Sequence, residues 1–129
     1  MRTALIALTL WILPLTAFGA PISNLDVVDI LLRHFERKDI PVMFQVARCE
    51  SQFQQTDEQG NPLKGKLTPL DRGLFQISLQ WHQEELDRRG LNVHKLEDNV
   101  KFASILYYRN GLSDWKASKS CWGLPEPLE

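Results

Sequence analysis

The sequence has no excess of charge of either sign and no compositional bias. Its 129 residues carry 15 basic and 16 acidic side chains, and this near balance argues against a nucleic-acid-binding protein with a basic surface. Glycine and proline each occur only 7 times and 43% of the residues are hydrophobic, so collagen-like and disordered chains are excluded. No internal repeat is present, which excludes solenoids and propellers. The length fits one domain.

Long hydrophobic runs are also scarce, and the one that exists lies at the N-terminus. Arg2 is followed by an apolar run over residues 4–15 and then by small residues, which is the pattern of a secretory signal peptide. Small residues at positions 17 and 19 predict cleavage after Gly19, so that residues 1–19 are removed and residues 20–129 form the domain. The alternative is a retained membrane anchor, but the run is shorter than the ~20 residues a spanning helix needs. We expect an exported protein, periplasmic or secreted, without stable membrane insertion after processing.

Cysteine is nearly absent, and the only two cysteines, Cys49 and Cys121, lie in the part expected to be exported. An even pair in an oxidising compartment predicts a disulfide. The alternatives are a catalytic thiol or a metal site. However, His34, His82 and His94 show no ligand spacing to either cysteine, and two thiols alone do not hold zinc. We therefore expect a Cys49–Cys121 bond and no metal.

Apolar periodicity and capping residues predict two helices in the first half of the domain. The first begins after Ser23 and ends near residues 36–38. The second is capped by Asp39, has Pro41 in its first turn, and ends at Glu50 or Ser51. The apolar face of the first helix is expected to contain Leu25, Val28, Leu31, Leu32 and Phe35.

Turn residues between positions 54 and 72 predict a loop or a small hairpin after the second helix. Ser78 can cap a third helix that ends before Gly90, and a fourth helix starts near position 97 or 98 and stops at Gly111. The tail is expected to be irregular chain tied down by Cys121. The predicted fold class is mostly α, with a small loop or β-hairpin element and one disulfide.

Three short segments, in order, carry residues suited to glycan chemistry. In the first, residues 50–53 (ESQF), Glu50 closes the second helix. The negative end of the helix dipole and a partly apolar setting would raise the pKa of this carboxyl, which suits a general acid. The alternative is a solvated surface glutamate, the commoner fate of any single glutamate.

The other two segments offer binding groups. In residues 73–78 (GLFQIS), Gly73 permits close backbone approach and the Gln76 amide can bind sugar hydroxyls. The alternative is a buried turn in which Gln76 only satisfies backbone groups. In residues 103–108 (ASILYY), the tyrosines can form a cleft wall, whereas core packing is expected for Ile105 and Leu106.

In this order the three segments resemble the signature segments of the soluble lytic transglycosylase catalytic domain, within the lysozyme-like superfamily. The similarity extends over residues 40–122. The Arg48-Cys49 pair before the glutamate and the closing Cys121-Trp122 pair are similar to those of small exported members of the family.

The resemblance implies a role for each matching residue. Glu50 matches the single catalytic acid, Ser51 the neighbour that helps to hold it, and Gln76 a ligand-contacting residue. Tyr107 matches the tyrosine near the acid, with Tyr108 as the alternative. Members of the family cleave the β-1,4 bond between N-acetylmuramic acid and N-acetylglucosamine in peptidoglycan. The muramic C6 hydroxyl closes onto C1 and gives a 1,6-anhydro product.

The resemblance also implies partners. These are the peptidoglycan glycan strands, with no cofactor or metal and no nucleic acid. A monomer is expected, and a secretion or pilus machine is a further partner that the sequence leaves open.

Two other functions stay open. Asp57, Glu58 and Asp71 lie between the first two segments, and a second carboxylate in the cleft would allow direct hydrolysis, as in a lysozyme. We expect Asp71 instead to fix the turn before Gly73, because aspartate commonly bonds nearby backbone in turns. The other alternative is a non-catalytic glycan-binding module on the same fold.

Overall fold

Short helices separated by one polar loop make up most of the domain. The structure, a computed structural model, describes residues 19–123, so the predicted signal peptide lies almost wholly outside the described residues. The helices within that range are α1 (Asn24–His34), α2 (Ile40–Ser51), α3 (Leu79–Arg89), α4 (Leu96–Asn110) and α5 (Lys119–Trp122). Two 3₁₀ turns occupy Arg37–Asp39 and Ser113–Ser118.

The β element is a hairpin of two very short strands. Strand β1 (Asp71–Arg72) pairs antiparallel with β2 (Ile77–Ser78), in the register Asp71 with Ser78. An isolated bridge joins Thr56 to Pro62 in the loop before β1. The predicted class, mostly α with a small hairpin and one disulfide, is confirmed.

The helix ends follow local sequence signals in most cases. The Ser23 hydroxyl accepts the Asp26 N–H at 3.2 Å at the start of α1. Gly90 and Gly111 have φ values of +65° and +63° and close α3 and α4, as expected. Ser78 occupies the N-cap position of α3, as predicted, but its side chain makes no capping hydrogen bond.

The cap predicted for α2 is also wrong in its chemistry. Asp39 does precede α2, but its side chain makes no capping bond. Its backbone lies in the helical region (φ −93°, ψ −12°) because it ends the preceding 3₁₀ turn, and a side-chain cap needs an extended residue. The buried carboxylate instead accepts hydrogen bonds from the hydroxyls of Tyr107 and Tyr108, each at 3.0 Å.

The apolar face predicted for α1 is only partly correct. Leu31 and Phe35 are buried, but Leu25 is 83% exposed and Leu32 is 47% exposed. Two overlapping apolar stripes lie on this helix, and packing against α2 and α4 selects the one that contains Val27 and Ile30.

The tail after α4 is regular rather than irregular, which corrects the prediction. Trp115 is buried, and its indole N–H donates to the Phe75 carbonyl oxygen at 3.0 Å. The Trp122 indole donates to the Trp115 carbonyl oxygen, also at 3.0 Å. The predicted disulfide joins Cys49 of α2 to Cys121 of α5, with Cα atoms 5.9 Å apart. These long-range contacts hold a helical tail whose own sequence carries little periodicity.

One core lies between α1, α2, α4 and the hairpin. Its fully buried large side chains include Leu31, Met43, Leu74, Phe75 and Phe102. Within residues 19–123 no helix is long and apolar enough to cross a membrane.

Candidate active site

Glu50 lies at the C-terminal end of α2, a helix that is held by its packing in the core. Met43, Val46 and Ala47 on the same helix are buried in the core. Beyond the helix the chain reverses through Gln52, whose φ is +53°. The Glu50 side chain is therefore half-buried at the C-terminal end of α2 rather than fully exposed to solvent.

Two adjoining cavities meet at Glu50 and together form a groove. The first has a volume of about 240 Å³ and the second about 310 Å³. Four residues border both cavities: Glu50, Thr68, Asp71 and Gln76. A chain-like ligand that filled both cavities would pass directly over these four side chains.

The two cavities differ in the side chains that they add. The first is bordered by Trp81, His82 and Asp114, and the second by Lys64 and Lys66. Trp81 is 76% exposed, which leaves its ring free to stack on an apolar ligand face. None of these five residues lies in the three signature segments, so the motifs do not point to them.

The environment of Glu50 raises the pKa of its carboxyl above the usual value. Burial is the largest cause, because it disfavours the charged form. The Ser118 hydroxyl, 2.5 Å from Glu50 Oε1, lowers the pKa, and the negative charge of Asp71 raises it. The net direction is the one a general acid requires, because the proton is retained closer to neutral pH.

The turn that carries Gln76 is held by two buried amide side chains. Gln55 accepts the Leu74 N–H at 2.8 Å, and Asn99 accepts the Phe75 N–H at 3.0 Å. Gln55 also donates to the Val93 carbonyl oxygen at 3.0 Å, as does Asn99. Sequence reasoning missed both amides, because nothing local distinguishes them from surface polar residues.

Gln76 fits both interpretations of its role. Its φ is +48°, and its side-chain amide donates to the Gly73 carbonyl oxygen at 2.9 Å, as a structural glutamine would. The residue also borders both cavities. The hydrogen bond from the side-chain amide to the Gly73 carbonyl oxygen therefore fixes Gln76 at the edge of the groove.

Ser51 borders the second cavity, but within residues 19–123 its side chain makes no hydrogen bond to Glu50. Its hydroxyl is buried and donates to the Ala47 carbonyl oxygen at 3.1 Å, within α2. The hydroxyl that contacts the acid belongs to Ser118 instead. Ser118 lies 68 residues away in sequence, so the motif gave no signal for it.

The structure does not bring Tyr107 or Tyr108 to the acid. Both hydroxyls bond to Asp39, and both rings pack on Phe35. Neither tyrosine borders the first or the second cavity, whereas Leu106 borders the first. One residue along a helix turns the side chain by about 100°, so α4 presents Leu106 to the groove and the tyrosines to Asp39.

Of the three further acids, Asp71 alone borders the groove. The Asp71 carboxylate accepts a hydrogen bond from the Thr68 hydroxyl, and the Asp71 backbone N–H donates to the Thr68 carbonyl oxygen at 3.0 Å. Asp71 therefore fixes the turn before Gly73, as expected. It also borders both cavities beside Glu50. Asp57 and Glu58 border neither cavity, and the Asp57 carboxylate accepts the N–H of Asn61 at 2.9 Å.

Comparisons with known proteins add no relative. No family model matches the chain, and no curated protein or solved structure is significantly similar to it. The part of the chain that the structure describes also holds no group of three or more histidine, cysteine or acidic side chains arranged to bind a metal ion.

Proposed function

We propose that this protein is an exported peptidoglycan lytic transglycosylase with Glu50 as its catalytic acid. The observation that carries the proposal is the half-buried Glu50 carboxyl, with its raised pKa, at the junction of the two cavities. The resemblance of the three signature segments supports the choice of reaction.

The chemistry requires one carboxyl group in two successive roles. Protonated Glu50 donates its proton to the glycosidic oxygen, and the bond to the muramic C1 breaks. The ionised Glu50 then removes the proton from the muramic C6 hydroxyl as its oxygen bonds to C1. No water is consumed, so the product is a 1,6-anhydro sugar and Glu50 regains its proton.

The groove suits a glycan strand of this kind. The exposed Trp81 ring can stack on a sugar face in the first cavity. Lys64 and Lys66 at the second cavity form no ion pair with another residue in the range 19–123, so they can attract an anionic polymer. The proposal needs no cofactor, and a signal peptide would place the enzyme beside the wall.

Direct hydrolysis, as in a lysozyme, is a second candidate because of one observation. Asp71 borders both cavities with Glu50, so a second carboxylate faces the same groove. In hydrolytic glycosidases the second carboxylate acts as nucleophile or activates water. In that reaction the released muramic ends are reducing rather than anhydro.

The test is digestion of purified cell-wall sacculi, with mass spectrometry of the released muropeptides. Wild-type protein should release fragments with 1,6-anhydro ends, each lighter by one water than the hydrolytic product. Glu50→Gln keeps the size of the side chain and removes the proton, so activity should fall to about 1% or less. Glu58→Gln is the matched control, because Glu58 is exposed and borders neither cavity.

The outcomes separate the candidates. Reducing ends, lost in Asp71→Asn as well as in Glu50→Gln, would establish the hydrolase. Binding to sacculi without any release would establish a glycan-binding module. Wild-type lysis by Glu50→Gln would overturn the assignment of the acid.

A further inference from the structure

The Ser118 hydroxyl lies between two acceptors. Its oxygen is 2.5 Å from Glu50 Oε1 and 3.1 Å from the Trp115 carbonyl oxygen. A serine hydroxyl has one hydrogen and two lone pairs, and a carbonyl oxygen can only accept. The hydroxyl can therefore donate to only one of the two at a time.

This limit ties the hydroxyl to the protonation state of Glu50. When Glu50 carries its proton, the carboxyl O–H donates to Ser118 Oγ and the hydroxyl donates to the Trp115 carbonyl oxygen. When Glu50 is ionised, the hydroxyl turns and donates to the carboxylate, since a half-buried charge is stabilised by a hydrogen-bond donor. The Trp115 carbonyl oxygen is not left unpaired, because the Trp122 indole still donates to it at 3.0 Å.

We propose that Ser118 is a positioning residue that holds Glu50 in both of its protonation states and rotates between them during the reaction. The inference rests on the proposed function, in which Glu50 is first acid and then base. It adds a residue that lies outside all three signature segments and contacts Glu50 rather than the substrate.

The position of this hydroxyl is fixed from both sides. Ser118 ends the 3₁₀ turn whose Trp115 ring is bonded to the Phe75 carbonyl oxygen. Three residues further on, Cys121 is bonded to Cys49, the residue before Glu50. The disulfide thus connects the two chain segments that carry the hydroxyl and the acid.

Other ionisable side chains border the two cavities together with Glu50. They are Asp71 from β1, His82 from α3, Asp114 from the second 3₁₀ turn, and Lys64 and Lys66 from the loop. Their charges act on wild-type protein and on a Ser118 variant alike. The difference in the pKa of Glu50 between the two proteins therefore measures the effect of the Ser118 hydroxyl.

Removing the hydroxyl should raise the pKa of Glu50. Both forms of Glu50 lose a hydrogen bond, but the bond to the ionised form is the stronger, and the difference corresponds to about one pH unit. Because the acid must be protonated to act, the basic limb of the kcat/KM profile should move to higher pH by about one unit. A residue that only supports the fold would lower the rate without moving this limb.

The experiment compares Ser118→Ala, Ser118→Thr and Ser120→Ala. Ser120 is the matched control, because it is exposed in α5 and its side chain has no hydrogen bond within residues 19–123. Carbon-13 NMR of glutamate-labelled protein measures the pKa of Glu50, with the signal assigned by its loss in Glu50→Gln. The pH profile of sacculus lysis is measured on the same proteins.

We expect Ser118→Ala to raise the pKa of Glu50 and to shift the basic limb. Ser118→Thr keeps the hydroxyl, so both quantities should stay at their wild-type values. Ser120→Ala should change neither. An unchanged Glu50 pKa in Ser118→Ala, or an equal shift in Ser120→Ala, overturns the inference. The NMR titration does not depend on activity. A shifted pKa in a protein that never cleaves sacculi would contradict the proposed function and support the coupling of Ser118 to Glu50.

Discussion

Removing the Cys49–Cys121 disulfide should destabilise the domain and disturb the acid at the same time. The bond closes a loop with a sequence separation of 72 residues. In the chain-entropy model, opening a loop of this size costs about 4.4 kcal/mol at 25 °C. A domain of about 100 residues unfolds with an entropy near 0.21 kcal/mol per kelvin, so the melting temperature should fall by about 20 °C.

The effect on activity follows from what the bond connects. Glu50 follows Cys49 directly, and Ser118 lies three residues before Cys121. Without the bond, the end of α2 and the Ser118 segment can separate while the rest of the fold persists. We therefore expect lower sacculus lysis below the new melting temperature, with the basic limb of the pH profile shifted upward as in Ser118→Ala.

The assay uses the variant with both cysteines changed to serine and calorimetry with and without reductant. The chain has only two cysteines, so reduced wild-type protein should have the same melting temperature as the double variant. The melting temperature of the double variant should not change when reductant is added. Thiol labelling of denatured, unreduced wild-type protein should find no free thiol. A decrease in the melting temperature of less than about 5 °C would refute the reasoning, and so would an unchanged pH profile.

Two further predictions concern stability. Gly73→Ala should lower the free energy of unfolding, measured in urea, by about 3 kcal/mol, because φ is +70° and an added Cβ would lie 2.5 Å from the Asn99 amide nitrogen. Gly90→Ala should lower it by only about 1 kcal/mol, because φ is +65° but nothing lies within 4 Å of the added Cβ. Equal losses would contradict the clash. The Arg109 guanidinium bonded to Glu85 lowers the pKa of that carboxyl from 4.5 to about 2, so the pair stabilises the fold above pH 4.5 and loses this effect as the pH falls toward 2. Glu85→Gln should therefore cost about 1 kcal/mol at pH 7 and almost nothing near pH 2, and a loss independent of pH would refute the assignment.

The elements of this domain could be predicted from sequence because their signals are local. Ser23 and Asp26 mark the start of α1 within four residues, and Gly90 and Gly111 end helices through their own backbone conformation. The disulfide followed from the cysteine count together with the export signal, and its sequence separation played no part. The position of Glu50 at a helix end was likewise legible from the periodicity of α2.

Tertiary structure decided which side chains meet. Ser118 contacts Glu50 across 68 residues, and Gln55 and Asn99 reach the hairpin turn across 19 and 24 residues. Asp39 looked like a helix cap, yet the tyrosine hydroxyls bond to it across 68 and 69 residues and so do not reach the acid. Such partners are chosen by how helices pack, and a motif of six residues carries no information about the segment that will lie against it.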